Sequence, residues 1–169
     1  FVPTESRDTA YVGEHIQIGN DRVILDSRTL AKMLDAVDVT DSELVLDVGS
    51  GYGYSAAIIA HLAEAVVALE SEDKPFNEMQ NALIDHGIDN VIVERGPLFS
   101  GAASHAPYDV IFLQGGVELI PSEILTQLKE GGRIVAIFMQ GSLGSVKIGY
   151  KLNNEISWRF AFNAGAPVL

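Results

Sequence analysis

Short apolar runs alternate along this chain with segments whose apolar residues recur every three or four positions. Val23-Ile24-Leu25 leads into Asp26-Ser27, residues suited to capping a helix, and Leu30, Met33, Leu34 and Val37 then fall at i, i+3, i+4 and i+7. Leu44–Val48 predicts a buried strand, with a helix over about Gly53 to Ala63, and Ala65–Glu70 a second strand. Phe76, Met79 and Leu83 share one face of a further helix that stops near Gly87, and Asn90–Glu94 reads as a short third strand. Tyr108–Leu113 is a fourth strand. Pro121 suits a helix first turn, with Ile124, Leu125 and Leu128 as the buried face and Gly131-Gly132 as the stop. Arg133–Met139 is a fifth strand, and Ser145–Lys151 and Ile156–Phe162 flank Asn153-Asn154 as an antiparallel hairpin.

Successive strand–helix units predict an α/β fold. We expect a doubly wound, mostly parallel seven-stranded sheet, Rossmann-like, covered on both faces and ending in that hairpin. No repeat or linker interrupts the pattern, so residues 1–169 read as one domain.

Composition narrows the function classes. The 169 residues carry 23 acids against 11 bases, a formal charge of −12, which disfavours a nucleic-acid partner because phosphate binding needs a basic surface. There are no cysteines, so disulfides and thiolate metal sites are excluded. The four histidines, His15, His61, His86 and His105, lack ligand spacing, and no metal is expected. No apolar run is long enough for a membrane helix and no signal-peptide pattern is present, so the expected location is cytoplasmic with no membrane partner. Oligomeric state is not legible.

The most telling stretch is Val45-Leu46-Asp47-Val48-Gly49-Ser50-Gly51-Tyr52-Gly53-Tyr54. It reads as a strand, a turn without β-carbons and a helix start whose free N–H groups face the turn, so that a ligand can lie against the backbone. A dinucleotide turn wants glycine at its first, third and sixth positions, whereas here the sixth is Tyr54. A P-loop needs Gly-Lys-Ser/Thr, and no lysine lies between Asp47 and Asp73. A carboxylate at Asp47 would repel a pyrophosphate but can hold an ammonium group. Glu70, at the end of the second strand with Ser71 after it, can accept two hydrogen bonds from a ribose diol. Asp47, the glycine turn and Glu70 together describe S-adenosylmethionine. Ordinary capping and solvation remain the alternative for both acids.

These residues resemble a class I S-adenosylmethionine-dependent methyltransferase and, more narrowly, the protein-L-isoaspartate O-methyltransferase family. The likeness starts at Phe1-Val2-Pro3 and Ala10-Tyr11. It runs through Ile16-Gln17-Ile18-Gly19, Val45–Ala57, Asn90-Val91, Pro107-Tyr108-Asp109 and Gln127-Leu128 to Gly131-Gly132-Arg133. The family usually carries a helical segment before Phe-Val-Pro, which would lie outside this sequence. The resemblance implies carboxyl methylation of isoaspartyl residues in damaged proteins. It implies Asp47, Gly49, Ser50, Gly51 and Gly53 around the methionine part, Glu70 on the ribose, and Gly96-Pro97-Leu98 near the adenine. Two positions depart from the family. Its Ile-Ser-x-Pro becomes Leu25-Asp26-Ser27 after Ile24, with leucine in place of the serine beside the methyl group, and its Gly-Asp-Gly becomes Gly96-Pro97-Leu98.

A carboxylate acceptor is ionised at neutral pH, its pKa being about 4, so no acid–base dyad is expected and none is evident. Ser27, Arg28 and Thr29 are candidates for touching the substrate, the arginine through a bidentate pair with a carboxylate. Helix capping and a solvated arginine are the plain alternative. Gln114, at the carboxyl end of the fourth strand, is expected to face the cleft and orient an acceptor, or else to satisfy a loop backbone. Three other functions stay open: methylation of a small molecule or another protein group, a non-catalytic S-adenosylmethionine-binding protein, and more distantly hydride transfer. Gln114 stands where a catechol-type enzyme would need a metal acid, and no Asn-Pro-Pro-Tyr-like element follows the fourth strand.

Overall fold

The structure, a computed structural model, describes residues 1–19 and 22–169. Its first elements are β1 (Ile16–Gly19), β2 (Arg22–Ile24), α1 (Ser27–Val37), β3 (Leu44–Val48) and α2 (Tyr54–Ala60). Then come β4 (Ala65–Glu70), α3 (Asp73–Asp85), β5 (Val91–Arg95) and β6 (Tyr108–Val117). The chain continues through α4 (Ser122–Thr126), β7 (Leu128–Gln140), β8 (Leu143–Leu152) and β9 (Glu155–Asn163). β1 and β2 form a separate antiparallel pair. The other seven strands make one sheet in the order β5-β4-β3-β6-β7-β8-β9. Neighbours from β5 to β7 run parallel, whereas β8 is antiparallel to β7 and β9 to β8. The doubly wound sheet with a terminal hairpin is therefore as expected.

Strand alternation divides the interior in two. Val45, Val66, Val110, Phe112 and Val135 face one side, where Met33 and Val37 of α1, Ala56 and Ile59 of α2, and Met79 and Leu83 of α3 cover them. Leu46, Val67, Leu69, Ile111 and Ile134 face the other, under Ile124 of α4, Ala102 and Tyr108. The spacing of Leu30, Met33 and Val37 buries one stripe of α1, and Asp26 caps it by accepting from the Thr29 N–H at 2.9 Å.

Three expectations needed correction. α4 is only five residues long, and Gly131-Gly132 lies inside β7 instead of ending a helix. Tyr108 pairs with Leu128 and Val110 with Arg133, so β7 bulges there, and a β-carbon on Gly132 would meet the Lys129 carbonyl at 2.8 Å. β6 runs on past Leu113 to Val117, with a second irregularity between Phe112 and Gly116. The start of the chain also supplies β1 and a short 3-10 turn over Thr4–Thr9.

β3 is where the winding reverses: β4 lies on one side of it and β6 on the other. Loops leaving the carboxyl ends of these strands diverge and leave a crevice, the usual place for a ligand in an open α/β sheet.

Candidate functional site

The turn from β3 into α2 forms the floor of that crevice. Gly49, Gly51 and Gly53 have φ of 81°, 56° and 87°. In this region an L side chain costs about 1–2 kcal/mol. The glycines also differ in what they face. A β-carbon on Gly53 would come 2.7 Å from Met79 Cγ, so this glycine lets α3 pack against the start of α2. One on Gly49 would meet only Arg22 Nη2 at 3.3 Å and the tips of Leu169 and Leu98 at 3.4 and 3.7 Å, so Gly49 is the one open to the cavity side. The turn's own N–H groups, unlike those of the α2 start, are largely taken up within the fold. Gly49 and Ser50 donate to the Leu69 carbonyl, Gly51 to Glu70 Oε2 and Gly53 to the Ser50 carbonyl. The turn is a fixed scaffold rather than a set of donors awaiting a ligand.

Asp47 sits on the same face of β3 as Val45, towards α2, and is fully buried. Ser55 Oγ donates to its Oδ2 and Gln114 Nε2 to its Oδ1, both at 2.6 Å. Gln114 lies two residues beyond Phe112, which pairs with Asp47, so it shares that face. It is buried against Asp47 and borders the narrow space beside Ser50, and the group it satisfies is a side-chain carboxylate, not the loop backbone of the plain alternative. Ser50 Oγ donates to the Asp47 carbonyl at 2.8 Å.

Burial is the largest influence on Asp47 and pushes its carboxyl above the usual 3.8, with the bonds from Ser55 and Gln114 opposing. The folded state thus holds this proton more tightly than the unfolded chain, which ionises first. Asp47 therefore subtracts stability as pH rises above 3.8 towards its raised folded value. In Asp47→Asn the new amide can donate to Ser55 Oγ while its oxygen still accepts from Gln114. We expect this variant to match or exceed the parent in urea unfolding at pH 7, with the difference closing towards pH 4, while affinity for the cofactor falls. A variant that is less stable at pH 7, or binds unchanged, would contradict the role given to Asp47.

Glu70 is the other buried acid, with none of its surface exposed. Burial alone would raise its carboxyl, but Arg22 and the backbone N–H groups of Glu72 and Gly51 hold it below the usual 4.5. Here the sign is opposite: stability is present above 4.5 and is lost as pH falls through the lowered value. Arg22, on β2, forks onto Glu70 through Nη1–Oε1 at 3.2 Å and Nη2–Oε2 at 2.9 Å and is itself only 7% exposed. No sequence feature singled it out, although it stands as a lone base directly before Val23-Ile24-Leu25.

Beside this pair lies a cavity of about 440 Å³, within the usual range of ligand pockets. Val48, Ser71, Pro97, Leu98, Leu113 and Val117 form its walls, with Phe99 and Leu119 at the rim. Gly96 donates to the Glu70 carbonyl at 3.1 Å, which brings the Pro97-Leu98 loop to the pocket. Glu72 and the residues Leu169 and Ile124 also border it. Leu169 is held there by a parallel bridge between Gly116 and Val168, in which the Gly116 N–H donates to the Pro167 carbonyl and its carbonyl accepts from Leu169 N–H. Among the described lining residues the one cation is Arg22, already neutralised by Glu70, so the pocket suits an uncharged nucleoside better than a pyrophosphate. On the other side of Gly49, between Ser50, Ser55, Leu25 and Gln114, the space narrows to about 10 Å³.

Ser27 and Arg28 do not converge. Ser27 lines a groove of about 170 Å³ with Leu25, Tyr54, Tyr11 and Arg7. Arg28 is exposed and borders a separate polar hollow with Lys32, Thr29 and Asn163. Of the expected cofactor residues, Ser71, Pro97 and Leu98 line the cavity, Gly49 and Ser50 border the narrow space, Glu70 reaches the cavity edge through Arg22, Asp47 lies buried towards α2 and Gly53 packs on Met79, while Arg28 stands apart.

Comparison with known proteins agrees with this geometry. Over residues 1–157 the sequence matches the family described as protein-L-isoaspartate(D-aspartate) O-methyltransferase. Protein-L-isoaspartate O-methyltransferase 2 of Anaeromyxobacter sp. is 38% identical over 148 residues, covering 88% of this chain and 60% of the relative. Its Polaromonas sp. counterpart is 38% identical over 135 residues, covering 80% of this chain and 64% of the relative. The chain thus spans about three fifths of the length of these curated relatives. A solved protein-L-isoaspartate O-methyltransferase superposes with a TM-score of 0.82 at 24% identity, over 92% of this chain and 51% of that one. A putative one from Plasmodium falciparum, solved with S-adenosyl-L-homocysteine, superposes with a TM-score of 0.80 at 18% identity, over 94% and 81%. These two share the fold. The glycine turn flanked by two buried acids, on this sheet order and with this match over nearly the whole chain, places the protein in the protein-L-isoaspartate(D-aspartate) O-methyltransferase family.

Proposed function

We propose that this chain binds S-adenosylmethionine in the crevice and methylates the side-chain carboxylate of isoaspartyl residues in damaged proteins, a repair reaction carried out in the cytoplasm. The apolar, nucleoside-sized cavity lined by Val48, Pro97, Leu98 and Leu113, with the buried Arg22–Glu70 pair at its edge, carries this reading. Leu98, Leu113 and Val117 would hold the adenine, Glu70 and Ser71 the ribose, and Asp47 with Gly49 and Ser50 the amino-acid end. When bound, the cofactor supplies a strongly electrophilic methyl group.

What the chain's own residues must do is align and desolvate. The acceptor carboxylate is ionised at neutral pH, so no base is needed, and positioning alone can contribute roughly 7–11 kcal/mol in favourable systems. The groove beside Ser27 and Tyr54 opens next to α2 and is the natural seat for the peptide. No described helix is long and apolar enough to cross a membrane, and the acidic balance fits a protein substrate better than a nucleic acid.

Leu25 favours a second reading. It is 3% exposed and presents an apolar wall to both the groove and the narrow space by Gly49, which suits an acceptor less polar than an isoaspartyl carboxylate. The two separate when the full-length protein is incubated with methyl-labelled S-adenosylmethionine and an isoaspartyl peptide beside its aspartyl isomer. Label on the isoaspartyl peptide alone, released by mild base, is expected. Cofactor binding with label on neither peptide would move the assignment to another acceptor or to a non-catalytic role.

A further inference from the structure

We propose that Arg22 is an internal competitor for the ribose site, holding on Glu70 the two hydrogen-bond positions that a vicinal diol takes, so that an adenosine ligand binds only as Arg22 leaves; this rests on the adenosine reading above. A carboxylate offers about four lone-pair positions. Oε2 of Glu70 accepts from Gly51 N–H at 2.8 Å and Arg22 Nη2 at 2.9 Å. Oε1 accepts from Ser71 N–H at 2.8 Å, Glu72 N–H at 3.0 Å and Arg22 Nη1 at 3.2 Å, with Ser71 Oγ at 3.3 Å. The amides belong to the β3–α2 turn and to the start of α3 and cannot withdraw without dismantling both. Arg22 comes from a different segment, 48 positions away in sequence, and is the partner that can go.

The match is chemical as well as steric. A guanidinium presents two parallel N–H donors, one to each carboxylate oxygen. A cis diol presents two O–H donors with the same division. Glu70 is fully buried, so no hydroxyl reaches it while the fork is in place. The charges also exchange sensibly. Among the described residues Asp47 and Glu70 are the buried acids and Arg22 the buried base, and a ligand carrying sulfonium and ammonium groups replaces the cation that leaves Glu70.

The same hairpin closes the other half of the crevice. Val23 and Ile24 of β2, followed by Leu25, wall the 10 Å³ space beside Gly49 and Ser50, and Ile18 of β1 lies 2.9 Å from where a β-carbon of Gly51 would be. Freeing Glu70 and widening the amino-acid end are therefore one displacement of β1–β2. Glu72, whose Oε2 lies 3.9 Å from the β-carbon position of Gly19, gives the released guanidinium an acidic neighbour at the mouth of the cavity.

The test is calorimetric titration of S-adenosylhomocysteine, which cannot react, into the parent protein and Arg22→Gln. Glutamine lacks the charge and the two-nitrogen fork that spans both carboxylate oxygens. The variant is expected to bind roughly tenfold tighter, which corresponds to about 1.4 kcal/mol. Binding to the parent with no gain in the variant overturns the competitor role and leaves the cofactor reading standing. Binding to neither overturns the cofactor reading itself. Nitrogen-15 spectra of the parent decide the matter even where Arg22→Gln does not fold. The Arg22 Nε–H resonance must shift on saturation, and an unmoved signal with the cofactor bound refutes its displacement.

Discussion

Glu70→Ala is expected to lower folding stability by about 3–5 kcal/mol, the usual cost of removing one partner from a buried ion pair. Two losses combine. The Arg22 guanidinium, 7% exposed, keeps its charge without a counter-ion. The N–H groups of Gly51, Ser71 and Glu72 lose their acceptor, at about 1–3 kcal/mol for each one left unsatisfied. Even if the guanidinium swings into solvent, the amide losses remain. Against a total of about 5–15 kcal/mol for a domain this is a large fraction. Equilibrium urea unfolding of Glu70→Ala, Arg22→Gln and the double variant checks it. Arg22→Gln should cost much less than Glu70→Ala, since Glu70 keeps its three backbone donors, and the double variant should be less destabilised than the sum of the two. Glu70→Ala within about 1 kcal/mol of the parent would mean that the pair does not organise the crevice.

Gly53→Val should be nearly as damaging, for a different reason. Its φ of 87° strains any L residue, and its β-carbon would lie 2.7 Å from Cγ of the fully buried Met79. Strain of about 1–2 kcal/mol and overpacking of about 1–3 kcal/mol sum to roughly 2–5 kcal/mol. Gly87→Ala is the control. Its φ is 65°, but nothing lies within 4 Å of the added carbon, so only the strain remains. A Gly53→Val variant no less stable than Gly87→Ala would show that α3 does not depend on this close approach.

Much of the scaffold was legible because it depends on local pattern. The apolar runs at Leu44–Val48, Ala65–Glu70 and Tyr108–Leu113 became β3, β4 and the first part of β6. The spacing of Leu30, Met33 and Val37 became the buried stripe of α1. Asp26 became its cap. Errors arose where one residue type serves two purposes. Gly131-Gly132 is a good helix stop, yet here it makes a bulge in β7, which only the pairing of Val110 with Arg133 reveals. The glycine turn was recognisable, but the use of its N–H groups depends on β4 and Glu70 across the sheet. Arg22 was illegible for the same reason: nothing near it in sequence signals a fork onto an acid 48 positions away. Gln114 was expected at the carboxyl end of its strand but lies inside β6, and its direction, towards Asp47, followed from the register of β3 against β6.

All of these effects concern a crevice whose meaning depends on what fills it. A crystal structure of the protein grown with S-adenosylhomocysteine tests that directly. The ligand should lie with its adenine among Leu98, Leu113 and Val117, its ribose diol on Glu70 and its amino-acid end beside Gly49 and Ser50. A ligand bound elsewhere, or a crevice empty at saturating concentration, would contradict the account.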